Sequence, residues 1–366
     1  MDTTKKIKIC LVLPSLEPGG MERVMSELAW YFSKNQQLDI HLVLYGYSRN
    51  MFYSMPDNIT IHMPHWRFDN SRRSIFAVKT FLFLRKKITS LQPDTILSFG
   101  ERWNNIVLLS LLGTDLPVYI SDRSQPNKNL GLVQNTFRKW LYPKAAGLIL
   151  QTEKAKEIYF RQFRALKIQV IGNPIRAIDT AMGTHHQENT ILMVGRFITG
   201  KNQDRLIKIF ARINNPQWKL ILVGHDLPGK NIMGELKALA VEYGIGDKVV
   251  FTGEQQNVNQ YYLAGKIFAF TSDSEGFPNA VGEAMSGGMP VVSYDCLAGP
   301  SDMIVDSTNG FLIPLYDDVR FEEKLQMLMN NEEMRTRLGK QAKEDIQRFS
   351  AEMISKKFYT FITSHC

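Results

Sequence analysis

Cysteine is scarce in this chain: Cys10, Cys296 and Cys366 are the only three in 366 residues. Odd in number and without metal-ligand spacing, they argue against a disulfide framework or a zinc site and read as reduced, packed thiols. No apolar run reaches the roughly 18 to 20 residues that a membrane-spanning helix needs. The opening Met1-Asp-Thr-Thr-Lys-Lys6 runs into Ile7-Lys-Ile-Cys-Leu-Val-Leu13, too short and interrupted for a signal-peptide core and better suited to a first strand. No Asp-x-Asp element occurs, so a divalent cation is not the obvious counter-charge for a bound diphosphate. No Gly-x-Gly-x-x-Gly fingerprint occurs either, which argues against an ordinary dinucleotide site. The seven histidines form no ligand pattern, and there is no short internal repeat. The sequence therefore predicts neither a metal nor a cofactor.

Charge is present but unevenly placed. Residues 1–170 hold 24 Lys and Arg against 13 Asp and Glu, a surplus of +11, whereas residues 171–366 carry −3. The first half is thus expected to meet an anionic partner. The densest part is 67–87, where Arg72, Arg73, Lys79, Arg85, Lys86 and Lys87 alternate with Phe76, Phe81, Leu82, Phe83 and Leu84. A basic helix with aromatic and apolar residues suits an anionic membrane interface. The plainer reading is a surface helix packed on a sheet. No nucleic-acid motif accompanies the charge, so nucleic acid is not expected as a partner.

Short apolar strands alternate with longer helical stretches throughout. One series runs through Ile7–Leu13, Asp39–Tyr45, Thr60–His62, Thr95–Ser98, Leu116–Ser121 and Gly147–Gln151. A second runs through Thr190–Val194, Lys219–Val223, Lys248–Thr252, Ile267–Thr271 and Pro290–Tyr294. This is the pattern of α/β domains with parallel sheets covered by helices on both faces. The expected division is a first domain over 1–172, a linker over 173–189 containing Asn173-Pro174, Met182-Gly183 and His185-His186, and a second domain over 190–345. A last segment, 346–366, is expected to be a helix that can return to the first domain. Two such domains would present strand ends to a shared cleft.

The most informative stretch is 272–288, Ser-Asp-Ser-Glu-Gly-Phe-Pro-Asn-Ala-Val-Gly-Glu-Ala-Met-Ser-Gly-Gly. It leaves an apolar strand, turns through Gly276 and Pro278, and enters a short helix with Glu275 and Glu283 eight positions apart. Helix-start N–H groups favour an anion such as a diphosphate, and a carboxylate further in can accept hydrogen bonds from sugar or ribose hydroxyls. Gly195-Arg196 and Lys201-Asn202 follow the first strand of the second series, and two cations there can neutralise a diphosphate leaving group. Gly224 and Gly253-Glu254 end the next two strands, where loops can hold a nucleobase.

In the first series, Gly19 and Gly20 form the strand-to-helix turn ahead of Glu22 and Arg23, open to close approach by a substrate. Polar residues follow two further strands. Glu101 or Asp122 is a candidate for orienting an acceptor hydroxyl, and Arg123 and Lys128 for meeting acceptor phosphates.

These residues carry a resemblance. Gly19-Gly-Met-Glu-Arg-Val24, Asn173-Pro174, Gly195-Arg196 with Lys201-Asn202, and Glu275-Gly-Phe-Pro-Asn-Ala-Val-Gly-Glu283 together resemble the family-4 retaining glycosyltransferases of the GT-B fold, over nearly the whole chain. The resemblance implies that Arg196 and Lys201 grip the donor diphosphate and that Glu283 binds the ribose hydroxyls. It implies that Glu275 contacts the transferred sugar, with backbone contacts from Gly276, Phe277, Pro278 and Asn279, and that Gly19 and Gly20 line the cleft. It further implies transfer with retention, by front-face attack without a protein nucleophile.

Ser121-Asp-Arg-Ser124 and Cys296-Leu-Ala-Gly-Pro-Ser-Asp302 are similar to the bacterial subgroup that extends lipid-linked oligosaccharides from UDP-sugars. UDP-N-acetylgalactosamine, UDP-N-acetylglucosamine and UDP-galactose are then the first donors to try. The chain departs from the pattern at the acceptor loop, where Ser121 or Asp122 stands in place of a histidine found in several members.

The expected activity is transfer of a hexose or N-acetylhexosamine from a UDP-sugar to a polyprenyl-diphosphate-linked glycan. The expected place is the cytoplasmic face of the inner membrane, as a peripheral protein. The alternatives are a nucleotide-sugar epimerase or phosphorylase on the same architecture, or a non-catalytic sugar-nucleotide-binding partner of an active enzyme.

Overall fold

The computed structural model describes residues 6–46, 51–126, 128–179 and 188–366. Within it are two compact units, Met1–Pro174 with Ala351–Cys366, and Ile175–Ser350. In the first, β1 (Ile7–Leu13), β2 (Leu38–Leu44), β3 (Thr60–His62), β4 (Thr95–Phe99), β5 (Val118–Ser121), β6 (Gly147–Leu150) and β7 (Ile168–Val170) form a parallel sheet in the order β3-β2-β1-β4-β5-β6-β7. Every residue of β4, β5 and β6 is buried. Strands covered on both faces have no solvent side, so they read as continuous apolar runs. One face packs Val12, Ile96, Ile120 and Leu148 against Leu84, Ile88, Val107 and Leu141 from helices Arg73–Leu91, Glu101–Ser110 and Leu132–Leu141.

The second unit repeats the plan. Here β8 (Thr190–Val194), β9 (Lys219–Val223), β10 (Val249–Phe251), β11 (Ile267–Phe270), β12 (Val291–Asp295) and β13 (Gly310–Pro314) run parallel in the order β10-β9-β8-β11-β12-β13. In both sheets the strand order reverses direction once, between β1 and β4 and between β8 and β11. Such a switch point opens a crevice at the carboxyl ends of the two strands.

The expected α/β parallel-sheet architecture is therefore present twice, with two additions. The edge strands β7 and β13 were not read from the sequence; each pairs on one side only, and β7 lacks the buried apolar run that marks a central strand.

Two expected boundaries move. Ile175 and Ile178 lie in the core of the second unit, not in a linker, because they pack with Val281 and Met285 and the Ile175 N–H donates to the Phe349 carbonyl at 2.8 Å. Ile346 and Phe349 belong there too, Phe349 lying 5.6 Å from the Phe277 ring. Of the expected linker, Met182-Gly183 and His185-His186 lie outside the described residues. The last helix, Ala351–Ile362, falls in the first unit: Thr95 Oγ1 donates to the Ile362 carbonyl at 2.7 Å, and Phe361 stands 5.2 Å from Tyr119.

One glycine ties the second sheet to its crevice. Gly224, at the exit of β9, has φ +157°, and a Cβ there would fall 1.9 Å from the Gly195 carbonyl oxygen. Gly244 has φ +70° but open space around it. Gly224→Ala should therefore cost about 2–4 kcal/mol in denaturant unfolding and Gly244→Ala only about 1 kcal/mol. Equal costs would refute the close approach.

Candidate active site

The second unit's crevice is built from the exits of β8 and β11. After β8 the chain passes Gly195 and the exposed Arg196, makes a single turn over Thr199–Lys201, and enters helix Gln203–Ile213 through Asn202, whose φ of 52° is left-handed. After β11 it runs Thr271-Ser-Asp-Ser-Glu275. Thr271 Oγ1 lies 2.9 Å from the Lys201 carbonyl and 3.0 Å from that of Asn202, while Asn202 Nδ2 donates to the Thr271 carbonyl at 3.0 Å. The Asp273 N–H donates to the Gly200 carbonyl at 3.0 Å.

These bonds hold the two exits side by side and bring Lys201 Nζ within 2.5 Å of Glu275 Oε1, in a mostly buried ion pair. Lys201 also lies over the Phe270 ring. A cation and a carboxylate thus face each other where a strand pair opens, and the exposed guanidinium of Arg196 follows the same strand.

The turn Gly276-Phe277-Pro278 leads into helix Asn279–Ser286. Phe277 is a buried core side chain, so only its backbone can meet a ligand. Gly299, with φ +113°, packs so tightly on this turn that a Cβ would sit 2.1 Å from Pro278 Cδ. The Cys296–Ser301 segment therefore supports the turn that carries Glu275. Glu283 Oε2 accepts from the Tyr262 hydroxyl at 3.0 Å and lies 3.6 Å from Arg176 Nη2. Gly253, with φ +70°, accepts from the Gly224 N–H at 3.2 Å; the exposed Glu254 next to it stands 3.9 Å from His225 Nδ1.

Gly195, Arg196, Lys201, Glu275, Gly276, Pro278, Asn279 and Glu283 thus belong to one region of the unit, with Gly253 and Glu254 at neighbouring strand ends. Sequence reasoning missed Arg176, Tyr262 and His225. Tyr262 looks like any core aromatic in an apolar run, and Arg176 lies in the stretch read as linker. His225 directly follows the singled-out Gly224 and was the one within reach.

The first unit's crevice lies at β1 and β4. Gly19 precedes helix Gly20–Ser33, and its backbone exchanges hydrogen bonds with the Tyr53 hydroxyl. The polar residues expected to meet an acceptor are placed differently. Glu101 is buried, and its Oε1 accepts from the Arg123 N–H at 3.0 Å and from the Ser124 N–H and hydroxyl at 2.7 Å each. Asp122 is 3% exposed; its carboxylate accepts from Asn104 Nδ2 (2.9 Å), Tyr142 (2.6 Å) and Tyr159 (2.7 Å).

Arg123 reaches Ser121 Oγ and Asn173 and stacks over Phe99. These three side chains are committed to an internal network: Glu101 accepts from N–H groups of the turn after β5, Asp122 from buried hydroxyls and an amide, and the Arg123 guanidinium donates to neighbouring side-chain oxygens. Lys128 alone of the four is exposed. Burial, with the nearby Glu101 charge, raises the Asp122 pKa to about 7 against the pull of the two phenol hydrogen bonds. Among the described residues no cluster of three or more His, Cys, Asp or Glu is placed to hold a metal ion.

Comparison with known proteins follows the same division. Residues 18–177 match the family model described as Glycosyltransferase Family 4, and residues 175–345 the one described as Glycosyl transferases group 1. The chain is 24% identical, over 97% of its length and 98% of the relative's, to the Campylobacter jejuni GalNAc-alpha-(1->4)-GalNAc-alpha-(1->3)-diNAcBac-PP-undecaprenol alpha-1,4-N-acetyl-D-galactosaminyltransferase. It is 27% identical, over 95% and 97% respectively, to a second protein of that organism, N-acetylgalactosamine-N,N'-diacetylbacillosaminyl-diphospho-undecaprenol 4-alpha-N-acetylgalactosaminyltransferase. The crystal structure of Anabaena HepE in complex with UDP matches with a TM-score of 0.81 at 18% identity, over 98% of this chain and 100% of that one.

The buried Asp122 gives a pH signature. Its pKa in the folded state lies above the unfolded value near 4, so the folded protein binds the extra proton between about pH 4 and pH 7. The Asp122 contribution to stability should fall as pH rises through that window and level off above it. Unfolding free energies of the wild type minus those of Asp122→Asn, measured from pH 4.5 to 8, should decline in that direction; a flat difference would contradict the network.

Proposed function

The chain belongs to the family 4 and group 1 glycosyltransferases, and from that premise we propose that it moves a hexose or N-acetylhexosamine from a UDP-sugar to a polyprenyl-diphosphate-linked glycan, with retention at the anomeric carbon. The observation that carries the reading is the meeting of Lys201 and Glu275 at the β8/β11 switch point, with the exposed Arg196 on the β8 exit and Glu283 on the helix that follows. The two Campylobacter relatives, whose names place N-acetylgalactosamine on undecaprenyl-diphosphate glycans, support the acceptor class. HepE, of the same GT-B fold and bound to UDP, supports the nucleotide.

In this reading Arg196 and Lys201 bind the donor diphosphate, and their charge develops its full effect as the leaving group gains negative charge. No metal is required for that step. Glu275 accepts hydrogen bonds from the transferred sugar, the backbone of Gly276, Phe277, Pro278 and Asn279 frames it, and Glu283 accepts from the ribose. Gly253 and Glu254 flank the base. The bond from the anomeric carbon to the β-phosphate oxygen breaks, the acceptor oxygen bonds to that carbon on the same face, and the acceptor proton passes to the departing phosphate. Gly19 and Gly20 leave room for the acceptor, and Lys128 meets its phosphate; Glu101, Asp122 and Arg123 hold the surrounding loop.

The acceptor lipid is reached from a membrane surface. No helix among the described residues is long and apolar enough to cross a bilayer. Helix Arg73–Leu91 carries one outward stripe of Ile75, Val78 and Leu82, each more than half exposed, among the exposed Arg72, Arg73, Lys79 and Lys86. Such a stripe suits the cytoplasmic face of the inner membrane, with the apolar side chains in the headgroup layer and the cations on anionic lipids.

Four measurements test the reading. Lys201→Ala and Glu283→Ala should each lower kcat/KM at least 100-fold if each side chain supplies about 3 kcal/mol in the transition state, and full activity in both would refute the site. In a thermal-shift panel of UDP-, GDP- and ADP-sugars, the UDP-sugars should stabilise selectively, by about 2.7 kcal/mol at 100 times Kd. Product analysis with and without acceptor separates transfer from epimerisation or phosphorolysis. Separately, the protein should co-sediment with phosphatidylglycerol vesicles, lose that binding as salt rises, and lose it in Ile75→Ser/Val78→Ser/Leu82→Ser; unchanged binding of the triple variant would remove the helix from the membrane contact.

A further inference from the structure

Glu283 stands on the second turn of helix Asn279–Ser286, and its two carboxylate oxygens are not equivalent. Oε2 accepts from the Tyr262 hydroxyl at 3.0 Å and is the oxygen nearest Arg176 Nη2. Among the described residues no group hydrogen-bonds to Oε1, and the side chain is 18% exposed. The tyrosine is firmly held: it is 1% exposed on helix Asn259–Ala264, with its ring 6.0 Å from Phe268. Burial and then the Glu283 charge hold its phenol pKa well above the ordinary value, so it remains a donor at any working pH.

Arg176 is fixed by its backbone. Ser286 Oγ donates to the Arg176 carbonyl at 3.0 Å and accepts from the Ile178 N–H at 3.1 Å, which fastens this segment to the helix that bears Glu283.

We infer that Tyr262 is a positioning and specificity-determining residue: it turns the Glu283 carboxylate so that Oε1 alone is offered to the ribose diol of a nucleotide donor. The inference rests on the nucleotide placement proposed above. A carboxylate with one oxygen already bound has lost its freedom to rotate before the ligand arrives, so the hydroxyls meet a prepared acceptor. Without the phenol hydroxyl, both oxygens are free to turn onto the guanidinium of Arg176 as a bidentate pair, which withdraws the acceptor from the diol. Tyr262 thereby favours ribonucleotides over their dideoxy counterparts without touching the ligand.

The experiment measures dissociation constants by calorimetry for UDP, GDP and ADP and for their 2′,3′-dideoxy forms, reading the pair whose ribo form binds the wild type tightest. The proteins are the wild type, Tyr262→Phe and Glu283→Gln, each first checked for an unchanged thermal midpoint. The wild type should prefer the ribo form. Tyr262→Phe should weaken the ribo form about fivefold to tenfold, the scale of a hydrogen bond to a charged group, and leave the dideoxy form within about twofold.

Equal weakening of both forms would reduce Tyr262 to core packing, and no weakening of either would remove it from the site; both outcomes overturn the inference. If Glu283→Gln keeps the wild-type preference, or if no nucleotide binds, the ribose assignment beneath it fails instead and takes the inference with it. Restoration of ribo preference in Tyr262→Phe/Arg176→Met, where the competing cation is gone, would support the rotation account.

Discussion

The second unit depends on a stitch between two chain exits. Thr271 and Asn202 exchange hydrogen bonds across the mouth of β8 and β11, and Lys201 meets Glu275 directly above them. These residues lie some seventy positions apart in the chain, and only the reversal of strand order brings them together. A mostly buried ion pair is not by itself a source of stability, because desolvation offsets much of the attraction. Its value here is geometric. It keeps one cation and one carboxylate at a defined spacing at the switch point of the second sheet.

The surroundings serve that spacing. Gly224 allows β9 to close against the β8 exit, and Gly299 allows the Cys296–Ser301 segment to brace Pro278. Phe277 anchors the intervening turn in the core. The turn carrying Glu275 is therefore held from below by packing and from the side by backbone, and Glu283 is held by a buried phenol. In the first unit the comparable polar residues face inward. Glu101 and Asp122 satisfy loop N–H groups, hydroxyls and an amide, and so tie down the turn after β5. The two crevices share a strand order but place their strand-end carboxylates differently: Glu275 pairs with Lys201 and Glu283 with Tyr262 in one, whereas Glu101 and Asp122 hold a loop in the other.

Much of the fold was legible in the residues. Central parallel strands such as Thr95–Phe99 and Ile267–Phe270 declare themselves because both faces are buried and no polar alternation is allowed. Ile168–Val170 did not, since it is three residues long and lacks a buried apolar run; Gly310–Pro314 is apolar, but so short a run does not by itself distinguish a strand. The boundary of the second unit was misplaced at both ends for a related reason. Ile175, Ile178, Ile346 and Phe349 are isolated apolar residues in polar stretches, and only their meeting with Val281, Met285 and Phe277 reveals them as core.

The site divides along the same line. Residue type and spacing singled out Arg196, Lys201, Glu275 and Glu283, and the structure places the first three at the exits of β8 and β11 and Glu283 on the helix that follows. The sequence alone also determined the α/β class and the unequal charge of the two halves, properties that follow from local pattern and composition. Only the tertiary structure decided that Asp122 and Glu101 are internal, that Tyr262 and Arg176 attend Glu283, and that the last helix joins the first unit. Those facts depend on which groups burial leaves in need of a partner, and chain positions far apart supply the partners.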